Sequence, residues 1–335
     1  MTESYIQSTL KKEDQAFERP LRPQTLGDFL GQESLQERLE VLLGAAKKRE
    51  EPLAHVLFHG PPGLGKTTLS HIMAKEMGAR IVVTSGPVIE KPGDLAGLLT
   101  NLDEGDFLFI DEIHRLNRTI EEYLYPAMED FSLDLMIDTG PNARSVQVQL
   151  NKFTLIAATT RYGQLSSPLR SRFGFTTRLD YYQPETIRDI LLRSAALLQF
   201  SLTVEGAMEI AKRSRGTPRI ANNLLRWVRD FVEIRAVQVV DAEVVDKALQ
   251  MLDIDELGLD EVDKKILDVI MEHYDGGPVG LNAIAVAVGE DQATVEVYEH
   301  YLINKGFLRR TPRGRELTPL AYQHRGRELP TSGLE

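Results

Sequence analysis

In the first half of the chain, short β-type apolar runs alternate with helical patterns. His55–His59, Arg80–Thr84, Phe107–Ile110, Thr154–Ala158 and Phe175–Leu179 have strand length and β-branched or aromatic content. Between them, apolar spacings of three and four dominate, as in Leu35, Leu39, Leu42, Leu43 and Ala46, which marks one face of a helix. Such alternation predicts a parallel sheet covered by helices.

After Leu179 the strand pattern stops. Glu185–Gln199, Val204–Ser214, Pro218–Val232 and Ala242–Leu252 read as helices, which predicts a smaller, all-helical second domain. The acidic stretch Asp253–Glu261 marks the next expected boundary. Three more helix patterns follow, Val262–Tyr274, Asn282–Val288 and Gln292–Lys305, and then a hairpin pattern: Phe307–Arg310, a Thr311–Gly314 turn and Arg315–Thr318. Three helices and a basic hairpin describe a winged helix. The expected division is a large α/β domain at 19–181, a small helical domain at 182–254 and a winged-helix head at 255–330. Residues 1–18, polar and mixed in charge, read as a disordered tail, and 331–335 as a second tail.

Composition narrows the classes. No cysteine is present, which removes disulfides, thiolate zinc sites and cysteine nucleophiles together. The longest apolar stretches are strand-sized and the first residues lack an apolar signal core, so the expectation is a cytoplasmic protein without a membrane partner. Net charge is −11, yet Lys305 to Arg327 carries seven Lys and Arg against one acid, Glu316. Phosphate contact depends on that local field more than on the global sum.

Gly60-Pro-Pro-Gly63-Leu-Gly65-Lys66-Thr67 matches G-x-x-x-x-G-K-[ST] without deviation, after a predicted strand and before a predicted helix, Thr67–Met77. Glycines let backbone N–H groups converge on phosphate oxygens, and a helix N-terminus adds favourable partial charge. Gly63, Gly65, Lys66, Thr67 and Thr68 are thus the expected ATP contacts. Lys66 neutralises the β- and γ-phosphates and the Thr67 hydroxyl ligates Mg²⁺. Phe107–Ile110 ends in Asp111-Glu112: Asp111 is placed to hold the metal through water, and Glu112 to polarise the attacking water. Thr159 and Thr160 exit the next strand, where one of them could position the water or sense the γ-phosphate. In Ser167-Pro-Leu-Arg170-Ser-Arg172-Phe-Gly174 a cation is available to offset charge on the γ-phosphoryl oxygens, but spacing alone does not single out Arg172.

The P-loop, the Asp-Glu strand, the threonine strand, Ser171-Arg172-Phe173 and Gly216-Thr217-Pro218-Arg219 stand in the order of the AAA+ ATPases. Arg19-Pro-Leu-Arg22 through Gly31-Gln32 resembles that family's opening box. Gly60–Thr68, Leu108–Leu116, Leu124–Asp130, Arg215–Ala221, Gly276–Leu281 and Arg310–Arg315 are similar to its motors of Holliday-junction branch migration, over about Arg19 to Tyr322. The resemblance implies an α/β P-loop core with a helical lid and a C-terminal winged helix, serving recombination, DNA repair and the SOS response. It implies that Arg172 is an arginine finger entering a neighbour's site, hence a homo-hexamer, with Thr160 as first sensor and Arg219 as second. Leu21, Arg22 and Tyr182 would flank the adenine; the residues alone do not separate Tyr181 from Tyr182.

Leu133–Ile137 and Val146–Leu150 alternate apolar and polar residues around Thr139-Gly-Pro-Asn-Ala, which predicts a hairpin. Alternation fits an ordinary half-buried hairpin equally well; the resemblance implies that it docks RuvA, the junction-binding partner, with the resolvase RuvC a further partner. Arg310, Arg313 and Arg315 in the wing are the expected contacts to duplex DNA, since arginine at a hairpin tip grips phosphate without reading bases. A protein unfoldase of the same family fits less well, because Arg80–Asp106 lacks any Phe, Tyr or Trp for a pore loop. A clamp loader would bring a cysteine zinc module. A regulator using ATP only as a switch would not need Glu112 beside Asp111.

Overall fold

The structure is a computed structural model, and it describes residues 17, 20–136 and 145–329. The expected tails (apart from Phe17) and the turn around Thr139 lie outside the described residues. By contacts the chain divides into two compact units, 8–198 with 216–222 and 199–215 with 223–335.

The first unit is built on a five-stranded sheet in the order β2-β3-β6-β1-β7, all neighbours parallel. These strands are β1 (Val56–His59), β2 (Ile81–Ser85), β3 (Phe107–Asp111), β6 (Thr154–Thr159) and β7 (Phe175–Arg178). Each expected strand is present within a residue of its predicted ends. The central strands β1, β3 and β6 are almost wholly buried because helices cover both faces, which is why they read as continuous apolar runs. One face packs Leu57, Leu108, Ile110, Leu155 and Ala157 against Leu95, Leu99, Ile120 and Leu124. Each such side chain stabilises by about 1.5–3 kcal/mol. Parallel strands bring Gly60, Asp111 and Thr159 to the same carboxyl edge, where open α/β sheets hold their ligands. The hairpin pairs β4 (Ser132–Met136) with β5 (Ser145–Gln149), Leu133 opposite Val148. Leu133 and Leu150 anchor its base in the core, while Val146 further out is exposed.

In the second unit, helices Val204–Arg213 and Ala242–Gln250 pack together, with Arg213 buried between Glu209 (2.8 Å) and Asp246 (2.6 Å). Three helices, Glu261–His273, Leu281–Val288 and Gln292–Asn304, and the hairpin β8 (Leu308–Thr311) and β9 (Gly314–Leu317) enclose one apolar core. This is the expected winged helix. Within this unit the acidic stretch Asp253–Glu261 forms a partly buried joint. Ile254 and Leu259 are buried, and Arg215 donates to Gly258 O at 2.9 Å and to Asp263 while its guanidinium lies over the Tyr301 ring. Two of its acids serve as hydrogen-bond acceptors. Asp255 takes the N–H of Leu257 and Leu259, and Asp260 caps helix Glu261–His273 with Asp263 closing a capping box. Among the described residues no helix is long and apolar enough to cross a membrane.

The wing turns tightly. Thr311 pairs Gly314 across Pro312-Arg313, and Val279 pairs Arg315 on the hairpin's other edge. Gly314 has φ +147°, and a Cβ there would stand 2.5 Å from Val279 O. Gly314→Ala should therefore destabilise the protein by about 2–4 kcal/mol, visible as a lowered melting temperature. An unshifted melt would refute this packing.

Candidate nucleotide site and nucleic-acid interface

The P-loop leaves β1 and enters helix Lys66–Glu76, one residue earlier than predicted. No side chain caps the first turn of that helix, so its backbone N–H groups face the loop's cavity. The loop's glycines are fixed by tertiary contacts as much as by phosphate. A Cβ on Gly63 would stand 2.7 Å from Thr217 Cγ2 and 3.2 Å from Arg219 Cβ, and one on Gly65 would stand 2.9 Å from the Phe29 ring. Lys66 is buried, and its ammonium donates to Gly60 O at 2.8 Å and Pro61 O at 2.6 Å. Burial pulls its pKa down to about 8, against the attraction of Asp111 and with the repulsion of Arg219. Thr67 and Thr68 follow in the first turn, half-buried.

Asp111 ends β3 and accepts the Glu112 N–H at 2.9 Å. Glu112 sits in the left-handed region, φ +48°, and its carboxylate pairs with Arg115 at 3.0 Å. A positive φ on a non-glycine residue is strain of the kind that clusters at functional sites. Thr159 and Thr160 part company: Thr159 is buried with its hydroxyl 3.0 Å from His114 Nδ1, whereas Thr160 is exposed beyond the strand end. Sequence reasoning missed His114; its place two residues after Glu112 was the available signal.

Arg219 lies beside the loop, its stem against Gly63 and its charge felt by Lys66. Tyr182 is buried beneath the loop with its hydroxyl donating to Leu64 O at 3.0 Å and its ring against Gly31; burial raises its phenol. Tyr181 is 40% exposed, so the two tyrosines differ by burial, which their sequence could not show. Leu21 is buried and Arg22 half-buried; Arg193 donates to the carbonyls of Leu21 and, at 2.7 Å, Asp28, and so ties this opening segment to helix Pro184–Leu197. Phe29 lies within the opening box noted in the sequence but was not singled out there, and Arg193 carried no motif signal.

Arg172 is not a solvated arginine. It closes helix Ser167–Ser171, donates to Pro168 O at 2.7 Å and Glu129 at 3.0 Å, and lies 4.3 Å over the Tyr125 ring. Its Nε is buried without a partner. A fixed guanidinium with spare donors suits a developing phosphoryl charge.

The wing arginines divide. Arg313 is exposed at the turn tip and makes no ion pair among the described residues. Arg310 is half exposed, but the Arg315 side chain is only 17% exposed, and both pair with the buried carboxylate of Glu299. Arg315 is therefore less open than its sequence neighbourhood suggests.

The Holliday junction DNA helicase RuvB P-loop domain family matches residues 21–179, the RuvB AAA lid domain 182–255 and the RuvB C-terminal winged helix domain 256–326. The Holliday junction branch migration complex subunit RuvB of Protochlamydia amoebophila (strain UWE25) is 63% identical over 325 residues, covering 97% of this chain and 98% of that protein. The solved Thermotoga maritima RuvB Holliday junction branch migration motor is 51% identical with a TM-score of 0.84, covering 93% of this chain and 100% of that one. A point mutant of the same T. maritima protein is 50% identical with a TM-score of 0.85, over 92% and 99% of the two chains.

A Lys66 that is half neutral near pH 8 makes nucleotide binding proton-linked. Polyphosphate favours the ammonium, so binding takes up a proton above that pH and affinity falls as pH rises, by up to about tenfold per unit. Calorimetry of ATP binding near pH 9 in buffers of different ionisation enthalpy measures the uptake; none at all would contradict the lowered affinity of the buried Lys66 for its proton.

Proposed function

The chain belongs to the RuvB family, and from that premise we propose that it is an ATP-hydrolysing motor that drives branch migration of Holliday junctions. One observation carries the chemistry: Lys66, the β3 carboxylates and Arg219 of the lid motif are assembled around one P-loop within a single compact unit. Hydrolysis adds water to the γ-phosphorus and breaks its bond to the bridging oxygen, releasing ADP and phosphate. Glu112 accepts the water's proton. Lys66 and Arg219 meet the phosphate charge, and Thr160, exposed at the carboxyl edge, positions the water. To reach it Glu112 must leave Arg115, a half-exposed pair of the kind that contributes well under about 1 kcal/mol.

Mg²⁺ is the metal this donor set fits. The Thr67 hydroxyl, and the Asp111 carboxylate through water, are hard oxygen donors that would hold it. Bound there, the ion would neutralise charge between the β- and γ-phosphates. Leu21, Arg22 and Tyr182 form the adenine side, with Tyr182 also holding the loop's main chain. Arg172 completes a neighbour's site, which requires a ring, proposed as a homo-hexamer. Duplex DNA meets Arg310, Arg313 and Arg315. The hairpin carrying exposed Val146 docks RuvA, and RuvC joins the same junction. The setting is the cytoplasm. The division at 19–181, 182–254 and 255–330 stands as a reading of function, the lid and head sharing the buried joint described above.

Lys66→Ala should abolish nucleotide binding, while Arg172→Ala should bind ATP and lose about 10³-fold in turnover. Mixed in one ring, the two variants should regain activity, because about a quarter of random interfaces then join an intact Lys66 to an intact Arg172. Full ATPase in either variant alone refutes the assignments. No recovery in the mixture refutes catalysis in trans.

A further inference from the structure

Arg310 and Arg315 stand directly opposite each other in the β8–β9 ladder. Like charges in that position repel, so a wing shaped only for stability would not place them there. Glu299, from helix Gln292–Asn304, resolves the conflict. Its side chain is 2% exposed and accepts four bonds: Nε and Nη2 of Arg315 at 2.8 and 3.1 Å, and Nε and Nη2 of Arg310 at 3.2 and 3.0 Å. Burial alone raises this carboxyl, but the two guanidinium groups outweigh that and hold it below its ordinary range. Charged, it leaves the trio with one net positive charge.

The geometry does more than neutralise. Each arginine is gripped along its Nε–Nη2 edge, which leaves the Nη1 edge of the planar fork pointing away from Glu299, without a partner among the described residues. A guanidinium fixed along one edge has lost its rotamer freedom before it meets a ligand, and its other edge retains N–H donors for a phosphate oxygen. Locking two such side chains in advance removes their ordering cost from binding.

We propose that Glu299 is the positioning residue of the DNA contact, aiming Arg310 and Arg315 at backbone phosphates; the proposal rests on the reading that the wing touches DNA. The test measures binding of the full-length protein to a fluorescein-labelled four-way junction across a series of potassium chloride concentrations. Glu299→Gln keeps the shape and removes the charge. It should weaken binding roughly tenfold and make the salt slope shallower by about one to two. In an Arg310→Ala/Arg315→Ala background the same change should add less than about twofold, because a residue acting through others has nothing left to aim.

Tighter binding with a steeper salt slope would mean that Glu299 only screens the arginines, and unaltered binding would mean that it does nothing for DNA; either overturns the proposal. So would an undiminished loss in the double-arginine background, the mark of a general defect in the wing. If the double-arginine variant itself binds like the wild type, the failure lies in the reading of the wing. Should Glu299→Gln melt below the assay temperature, Glu299→Asp replaces it. Its carboxylate is one methylene short of spanning both arginines, and the same loss is expected.

Discussion

The phosphate loop is held by steric contact with chain that is remote in sequence, and the rest of the nucleotide site depends on that contact. Gly63 touches Thr217 and Arg219, Gly65 touches Phe29, and the Leu64 carbonyl takes the Tyr182 hydroxyl. No Cβ fits at either glycine. The opening segment, the segment after β7 that carries Tyr182 and the turn Gly216–Arg219 must all arrive for the loop to have its shape. A site assembled this way brings Arg219 to the loop by packing rather than by flexible reach.

Charge is handled in the same manner. The protein is strongly acidic overall, yet the cations assigned to function are gripped by named groups: Lys66 by loop carbonyls, Arg172 by Glu129 and Tyr125, and Arg310 and Arg315 by Glu299. Each grip leaves part of the cation unused. In water these side chains would be mobile and screened; held by these partners they are pre-positioned for the phosphate contacts proposed above. The same economy explains the acidic stretch before the winged helix, whose carboxylates cap helices and accept backbone N–H groups.

Much was legible in the chain itself. Strand positions followed from runs of Val, Ile, Leu and Phe, because a sheet covered on both faces leaves no polar alternation to obscure them. Gly60 to Thr67 and Asp111-Glu112 were legible because phosphate chemistry demands those residue types at fixed spacing next to a strand end. The basic stretch from Lys305 to Arg327 stood out against an acidic background.

What periodicity and motifs could not carry was orientation and partnership. Thr159 and Thr160 are adjacent and chemically alike, and the end of β6 between them decides that one is buried against His114 and the other exposed. Tyr182 rather than Tyr181 lies under the loop because Gly31 leaves room for its ring. Glu299 reads as one more helix-surface acid until the wing folds over it, and nothing in Asp253–Glu261 shows that Arg215 donates to the Gly258 carbonyl within it. The chain determined by itself which elements form and which chemistry they carry, since both are local properties. Only the tertiary structure decided which polar groups lose water and to whom they turn, because desolvation is a property of neighbours brought together by packing.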